Sequence, residues 1–160
     1  MLTQGLLDCA QTEDAIAAII AHEIAHIHLQ HSVKAIKSSR ALNAVLATSK
    51  AVAEGFGLGE ITEGFSSAVD EVLNTLVNSG YSKAQEYEAD KKALGLMHNV
   101  GYNPYAMADM LEVLRQKSAG ATTGFSKTHP SPESRLKEVE KSLSKDYSTI
   151  EKTKRFPREM

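Results

Sequence analysis

His22, Glu23 and His26 stand in the order His-Glu-x-x-His, within Ala21-His22-Glu23-Ile24-Ala25-His26. On a helix, residues four apart lie one above the other, so both imidazoles can reach one metal ion. Glu23 is turned about 100° from His22, close enough to take a proton from a water that the metal activates. Zinc in a reactive site takes three protein ligands and keeps one position open. The chain must therefore supply a third ligand.

Glu86-Tyr87-Glu88-Ala89-Asp90 offers one. On a helical wheel Glu86 and Asp90 share a face with Ala93, Leu94 and Met97. Carboxylates on an apolar face must be paired or bound to a cation, because a lone buried charge is costly. Glu88 points the other way, towards Lys91 and Lys92, and can pair with Lys92 one turn on. Glu86 is thus the candidate third ligand and Glu88 a solvated surface residue. Asp90 can accept a hydrogen bond from the second nitrogen of a ligand histidine and so fix its tautomer. The plainer alternative is a pair of acids in an interhelix ion pair.

The remaining histidines fall into different classes. The longer pattern H-E-x-x-H-x-x-G-x-x-H requires glycine and histidine at positions 29 and 32; Leu29 and Ser32 stand there, which rejects that route. His28 lies off the metal edge. His31 falls on the apolar arc and reads as a satisfied core histidine. His98 sits near a helix end, where a cation is favoured. His129 lies in a loop as Thr-His-Pro, with Arg135 six residues later. It can donate to an oxyanion, occupy the open metal position, or simply be a turn histidine before proline.

Helices must position these groups. Strand-like runs are scarce, which predicts a mainly α fold. Thr12 can cap a helix with Glu13 and Asp14 in its first turn. Ile16, Ile19, Ile20, Ile24 and Ile27 form one arc, expected to face the core, with His22 and His26 on its edge. This helix is expected to run to about Lys37. Residues 39–54 read as a second helix. Glycines 55, 57, 59 and 64 mark a connection or a mobile flap, and 66–79 resume helical periodicity. Ser82 can cap a helix over about 83–99 that ends at Gly101. Asn103-Pro104 opens another, to about Lys117. A Gly/Ser/Thr loop spans 118–131, Pro132 starts a last helix to about Leu143, and a polar, frayed tail follows from Lys145.

With 160 residues the chain is read as one domain over 1–144 with a polar tail over 145–160. Its net charge of -2 makes no electrostatic case for nucleic acid. The single Cys9 excludes an internal disulfide and a Cys-rich zinc ribbon. No run of about 18 apolar residues predicts a transmembrane helix, and the first residues do not resemble a signal peptide.

Four features together carry a family resemblance. They are Gly5-Leu6-Leu7 before an acidic helix start; Ala21–His26 with His31 after it; Glu86–Asp90 followed by Gly101-Tyr102-Asn103-Pro104; and Thr128-His129-Pro130 with Arg135. In this order, over about residues 3–140, the chain resembles the M48 family of zinc metallopeptidases, most of all its soluble BepA-like branch. The resemblance implies a zincin-like fold and a gluzincin-type site. One zinc ion would sit on His22, His26 and Glu86, with Glu23 as general base and His129 as a second catalytic group. Asp90, His31 and Arg135 would surround and orient the ligands. The implied reaction is hydrolysis of peptide bonds in protein or peptide substrates, and the implied location is the bacterial periplasm or cell envelope. Two departures stand out. Lys83 occupies a place where the family usually has arginine. The family also carries a strand before Gly-Leu-Leu on which a peptide lies by β-augmentation, and this sequence is expected to lack that strand. The alternative function is a zinc-containing chaperone or binding module that cleaves little.

Overall fold

The computed structural model describes residues 4–38, 66, 69–74, 80–118 and 131–152, and among them every regular element is a helix. In chain order these are α1 (Gln4–Leu7), α2 (Glu13–His28), α3 (His31–Ser38), α4 (Lys83–Asn99), α5 (Tyr105–Ser118) and α6 (Pro132–Asp146). The expected helix over 39–54, the glycines between 55 and 64, and the loop carrying His129 lie outside the described residues. Of the helix expected over 66–79, residues 69–74 are helical.

Local chemistry starts the helices where the sequence places the caps. The Thr12 hydroxyl accepts from Ala15 N at 3.1 Å. Ser82 and Gln85 form a reciprocal capping box at the start of α4. Ser131 caps α6, and Pro132 sits in its first turn, where no backbone donor is needed. Helix α4 ends at Asn99, and the turn after it passes through Gly101, whose φ of 92° is a left-handed conformation that glycine adopts without strain.

Helix α2 packs chiefly on α4 and also on α5; α6 packs on α4 and α5. The core between them holds Ile19, Leu94, Met97, Met107, Leu111, Val139 and Leu143, all buried. Each such side chain contributes about 1.5–3 kcal/mol of transfer free energy on burial.

The buried face of α2 differs from the expected isoleucine arc. Ile19 is buried, but Ile20, Ile24 and Ile27 are exposed, Ile27 at 76%. The face turned inward carries Ala15, Ala18, Ala21 and Ala25 beside His22 and His26. On α4 the matching face carries Ala89 and Ala93, both fully buried. A wheel drawn on side-chain hydrophobicity favours the large aliphatics. Packing here favours the alanines, because interaxial distance shrinks with the side chains at the contact. That small-residue seam brings the two histidines and two carboxylates to hydrogen-bonding range.

The second correction concerns the continuous helix to Lys37. Helix α2 stops at His28, Gln30 takes φ 55°, and α3 begins at His31. The Gln30 carbonyl already accepts from Lys34 N at 2.9 Å, so the chain re-enters helix at once. A left-handed residue without glycine's freedom carries local strain. Gln30→Val is therefore expected to cost about 1–3 kcal/mol, whereas Gln30→Gly keeps or raises stability; urea unfolding of the two variants measures the difference.

The turn between α4 and α5 ties down the start of α2. Asn103 N donates to the buried Asp14 carboxylate at 2.7 Å, and the Tyr102 hydroxyl donates to Glu13 Oε1 at 2.8 Å. The same Asn103 holds the chain beyond α6 through its side-chain amide, which donates to the Glu151 carbonyl at 2.7 Å. Tyr147 and Ile150 pack against the core. The first part of the expected frayed tail is thus folded back on the domain, because its aromatic and aliphatic residues find an apolar surface beside α4 and α5.

Candidate metal centre

Helix α2 supplies His22 and His26, α4 supplies Glu86 and Asp90, and α6 supplies Arg135; all five side chains are buried. His22 Nε2 and His26 Nε2 lie 3.1 Å apart. Glu86 stands over both, with Oε2 3.5 Å from His22 Nε2 and Oε1 3.4 Å from His26 Nε2. These three residues form a group able to hold a metal ion, and among the described residues no other such group occurs.

Behind His22, Asp90 Oδ1 lies 2.9 Å from Nδ1. Arg135 grips the same carboxylate with both arms of its fork, Nε donating to Oδ2 at 2.8 Å and Nη2 to Oδ1 at 2.6 Å. Its Nη1 lies 3.5 Å from Glu86 Oε2. Nη2 is also 3.3 Å from His22 Nδ1, but guanidinium nitrogens only donate, and an imidazole N–H aimed at Asp90 donates too. Both therefore serve the shared oxygen of Asp90.

Behind His26 the arrangement is longer. His31, fully buried, places Nδ1 2.9 Å from His26 Nδ1. Its Nε2 lies 3.2 Å from Glu88 Oε2. Tyr81 stacks on the His26 ring with centroids 4.0 Å apart and planes 18° apart. The Tyr81 hydroxyl is 2.7 Å from Ser32 Oγ, in the first turn of α3.

The electrostatics divide the two imidazoles. Burial pushes His22 down and Arg135 adds to that, but the Asp90 and Glu86 carboxylates outweigh both, so its pKa ends above the ordinary value. His26 goes the other way: burial dominates, the neighbouring imidazoles of His22 and His31 add to it, and Glu86 does not compensate. Burial would likewise raise Asp90, but Arg135 and then His22 hold it below the usual carboxylate range. Arg135 stays charged although buried, because Asp90 and Glu86 more than offset the desolvation.

The residues singled out from sequence are largely brought together: His22, His26, Glu86, Asp90, His31 and Arg135 form one connected cluster. Glu23 is half-buried on α2 next to His22, and its charge is felt by Arg135. His28 is exposed, as expected; His98, read as a structural residue near a helix end, is exposed as well and meets the Tyr147 ring edge-on. His129 lies outside the described residues. Glu88 corrects its reading: its side chain is 52% exposed, yet it points back to His31 rather than pairing along the helix with Lys92. An intrahelical wheel cannot foresee a partner that arrives from another helix. Tyr81 was not singled out, and its only sequence signal is an aromatic ring directly before the Ser82 cap.

Set beside known proteins, the sequence matches Peptidase family M48 over residues 1–143. It is similar to the metalloprotease LoiP of Escherichia coli K12, 29% identical over 142 residues that cover 89% of this chain and 54% of that protein. It is 28% identical to the mitochondrial metalloendopeptidase OMA1 of Schizosaccharomyces pombe, over 88% of this chain and 40% of that one. The beta-barrel assembly-enhancing protease of Escherichia coli O157:H7 is 27% identical, over 85% of this chain and 28% of its own length. The chain thus spans about half the length, or less, of these curated relatives. No solved structure matches it. Among the described residues no helix is long and apolar enough to cross a membrane. With a family match that covers nearly nine-tenths of its length, the chain belongs to peptidase family M48.

Proposed function

We propose that the chain is a zinc-dependent endopeptidase of the gluzincin type, with one ion held by His22, His26 and Glu86. The observation that carries this reading is the spacing of the three donors, 3.1, 3.4 and 3.5 Å. Ligands around tetrahedral zinc, with bonds of about 2.0–2.1 Å, stand about 3.3–3.4 Å from one another. Two imidazoles and a carboxylate are also a donor set that zinc takes in reactive sites.

When bound, the ion supplies Lewis acidity, which polarises a carbonyl and makes water a competent nucleophile near neutral pH. The protein's own part is positioning and proton transfer. Glu23 takes the proton of the attacking water and returns it to the leaving amine. Asp90, locked by Arg135, holds His22 in the tautomer that leaves Nε2 free to bind. His129 is assigned to the oxyanion, where loss of a donor typically costs about 10²–10³ in rate. The domain so defined covers 1–144, and the first residues of the 145–160 tail fold back on it.

Extended segments of proteins are the proposed substrates. The relatives named for beta-barrel assembly favour the bacterial periplasm as the place of work, because bacterial transmembrane barrels belong to the outer membrane. Fractionation of cells expressing the native gene checks that location. The central test is metal analysis together with casein or peptide cleavage. Zinc at one per chain and cleavage lost with a chelator and restored by zinc are expected. One zinc per chain with no cleavage of any substrate would sink the endopeptidase reading and leave a zinc-holding binding module.

A further inference from the structure

Helix α2 ends in a break that has no role in forming the three-ligand group. The break brings His31 back against His26. Five residues along an uninterrupted helix would turn His31 about 140° away from His26. The left-handed Gln30 resets the direction, and the two Nδ1 atoms come to 2.9 Å. On its far side His31 reaches Glu88, 3.2 Å from Nε2.

Proton placement along this chain has one consistent solution once His26 presents Nε2 to a metal. A neutral imidazole carries one hydrogen, so His26 holds it on Nδ1 and donates to His31 Nδ1. His31 must accept there, so its own hydrogen lies on Nε2 and is donated to the Glu88 carboxylate. Each link leaves the next with only one choice of tautomer. We propose that His31 and Glu88 are positioning residues for the metal centre, a two-residue relay that fixes the tautomer and ring orientation of His26 as Asp90 does directly for His22. This rests on the reading of His22, His26 and Glu86 as the zinc ligands.

Helical phase explains why a relay is needed. Glu88 is two residues beyond Glu86, about 200° around α4, and so cannot stand over the metal group beside it. His31 spans the gap between that carboxylate and His26. Tyr81 completes the support, since it stacks flat on His26 and its hydroxyl meets Ser32, the residue after His31. Ring plane, tautomer and the entry of α3 are thereby coupled through four side chains.

Zinc affinity by competition with a chromophoric chelator, and the visible absorption of the cobalt(II)-substituted protein, test the relay without any activity readout. Residues that orient metal ligands typically change metal affinity about 10–100-fold when removed. His31→Phe is expected to fall in that range and to shift the cobalt bands. Glu88→Ala is expected to weaken zinc about 10-fold, and Glu88→Gln, which keeps an acceptor without the charge, to lie between it and the parent. Lys141→Gln, exposed on α6, should match the parent. If His31→Phe does not fold by circular dichroism, Glu88→Ala alone decides, since its side chain is half in solvent. Unchanged zinc affinity and cobalt spectra in the Glu88 and His31 variants would overturn the relay while leaving the zinc site standing. A parent protein that takes up no zinc would overturn both.

Discussion

Glu23→Gln is expected to keep zinc at the parent stoichiometry and to lower peptide cleavage by about 10²–10⁴-fold, the usual contribution of a positioned general base. The substitution preserves size and removes the ability to take a proton. Glu23 is not among the three converging donors, so the metal should stay. It is half-buried and adjacent to His22, so the isosteric amide should not disturb the fold. Inductively coupled plasma analysis and a peptide assay on the same preparation make the comparison. Loss of zinc in this variant would contradict its assignment as base and make it a ligand. Full activity would remove it from the mechanism.

Arg135→Met is the change expected to cost the fold most. The guanidinium is buried and satisfies both oxygens of Asp90 while lying 3.5 Å from Glu86. Its removal leaves two buried carboxylates without their main counter-charge. Breaking one side of a buried pair in this way costs about 3–5 kcal/mol. Urea unfolding of the metal-free protein reads this directly. Removing the partner as well, as Arg135→Met with Asp90→Leu, should recover part of the loss, because an apolar pair of similar volume no longer buries a lone charge. A loss below about 1 kcal/mol in the single variant would mean that water reaches the cluster and screens it, as at an exposed ion pair.

The same cluster sets an acid limit. Arg135 and His22 hold Asp90 below its ordinary value of 3.8 despite burial. A carboxylate whose folded pKa is depressed contributes stability that is fully present above the unfolded value. That contribution is lost as pH falls through the folded value. This part of the acid unfolding therefore belongs below pH 3.8.

How much of this was written in the chain varies by element. The spacing of His22 and His26, the phase of Glu86 against Glu88, the caps Thr12 and Ser82, and the helix start at Pro132 are local, and helical geometry alone converts them into positions. Their reading matches the structure for that reason. The isoleucine arc on α2 does not, because burial depends on what packs opposite, and the alanines of α2 and α4 permit the closer approach. His31 illustrates both sides. Its burial matches the reading, but not through the arc of an unbroken helix on which that reading stood: one partner lies across a left-handed break at Gln30, the other 57 residues away on α4.

By itself, then, the sequence determined the chemistry on offer: two imidazoles one turn apart, an adjacent carboxylate, and a second pair of acids on one helical face. Tertiary structure decided which groups meet and what stands behind them. The alanine seam set the distance between α2 and α4, the break after His28 delivered His31 to His26, and α6 carried Arg135 into the space behind Asp90. Those are long-range choices made by packing and by the need to satisfy buried charge, and no local periodicity encodes them.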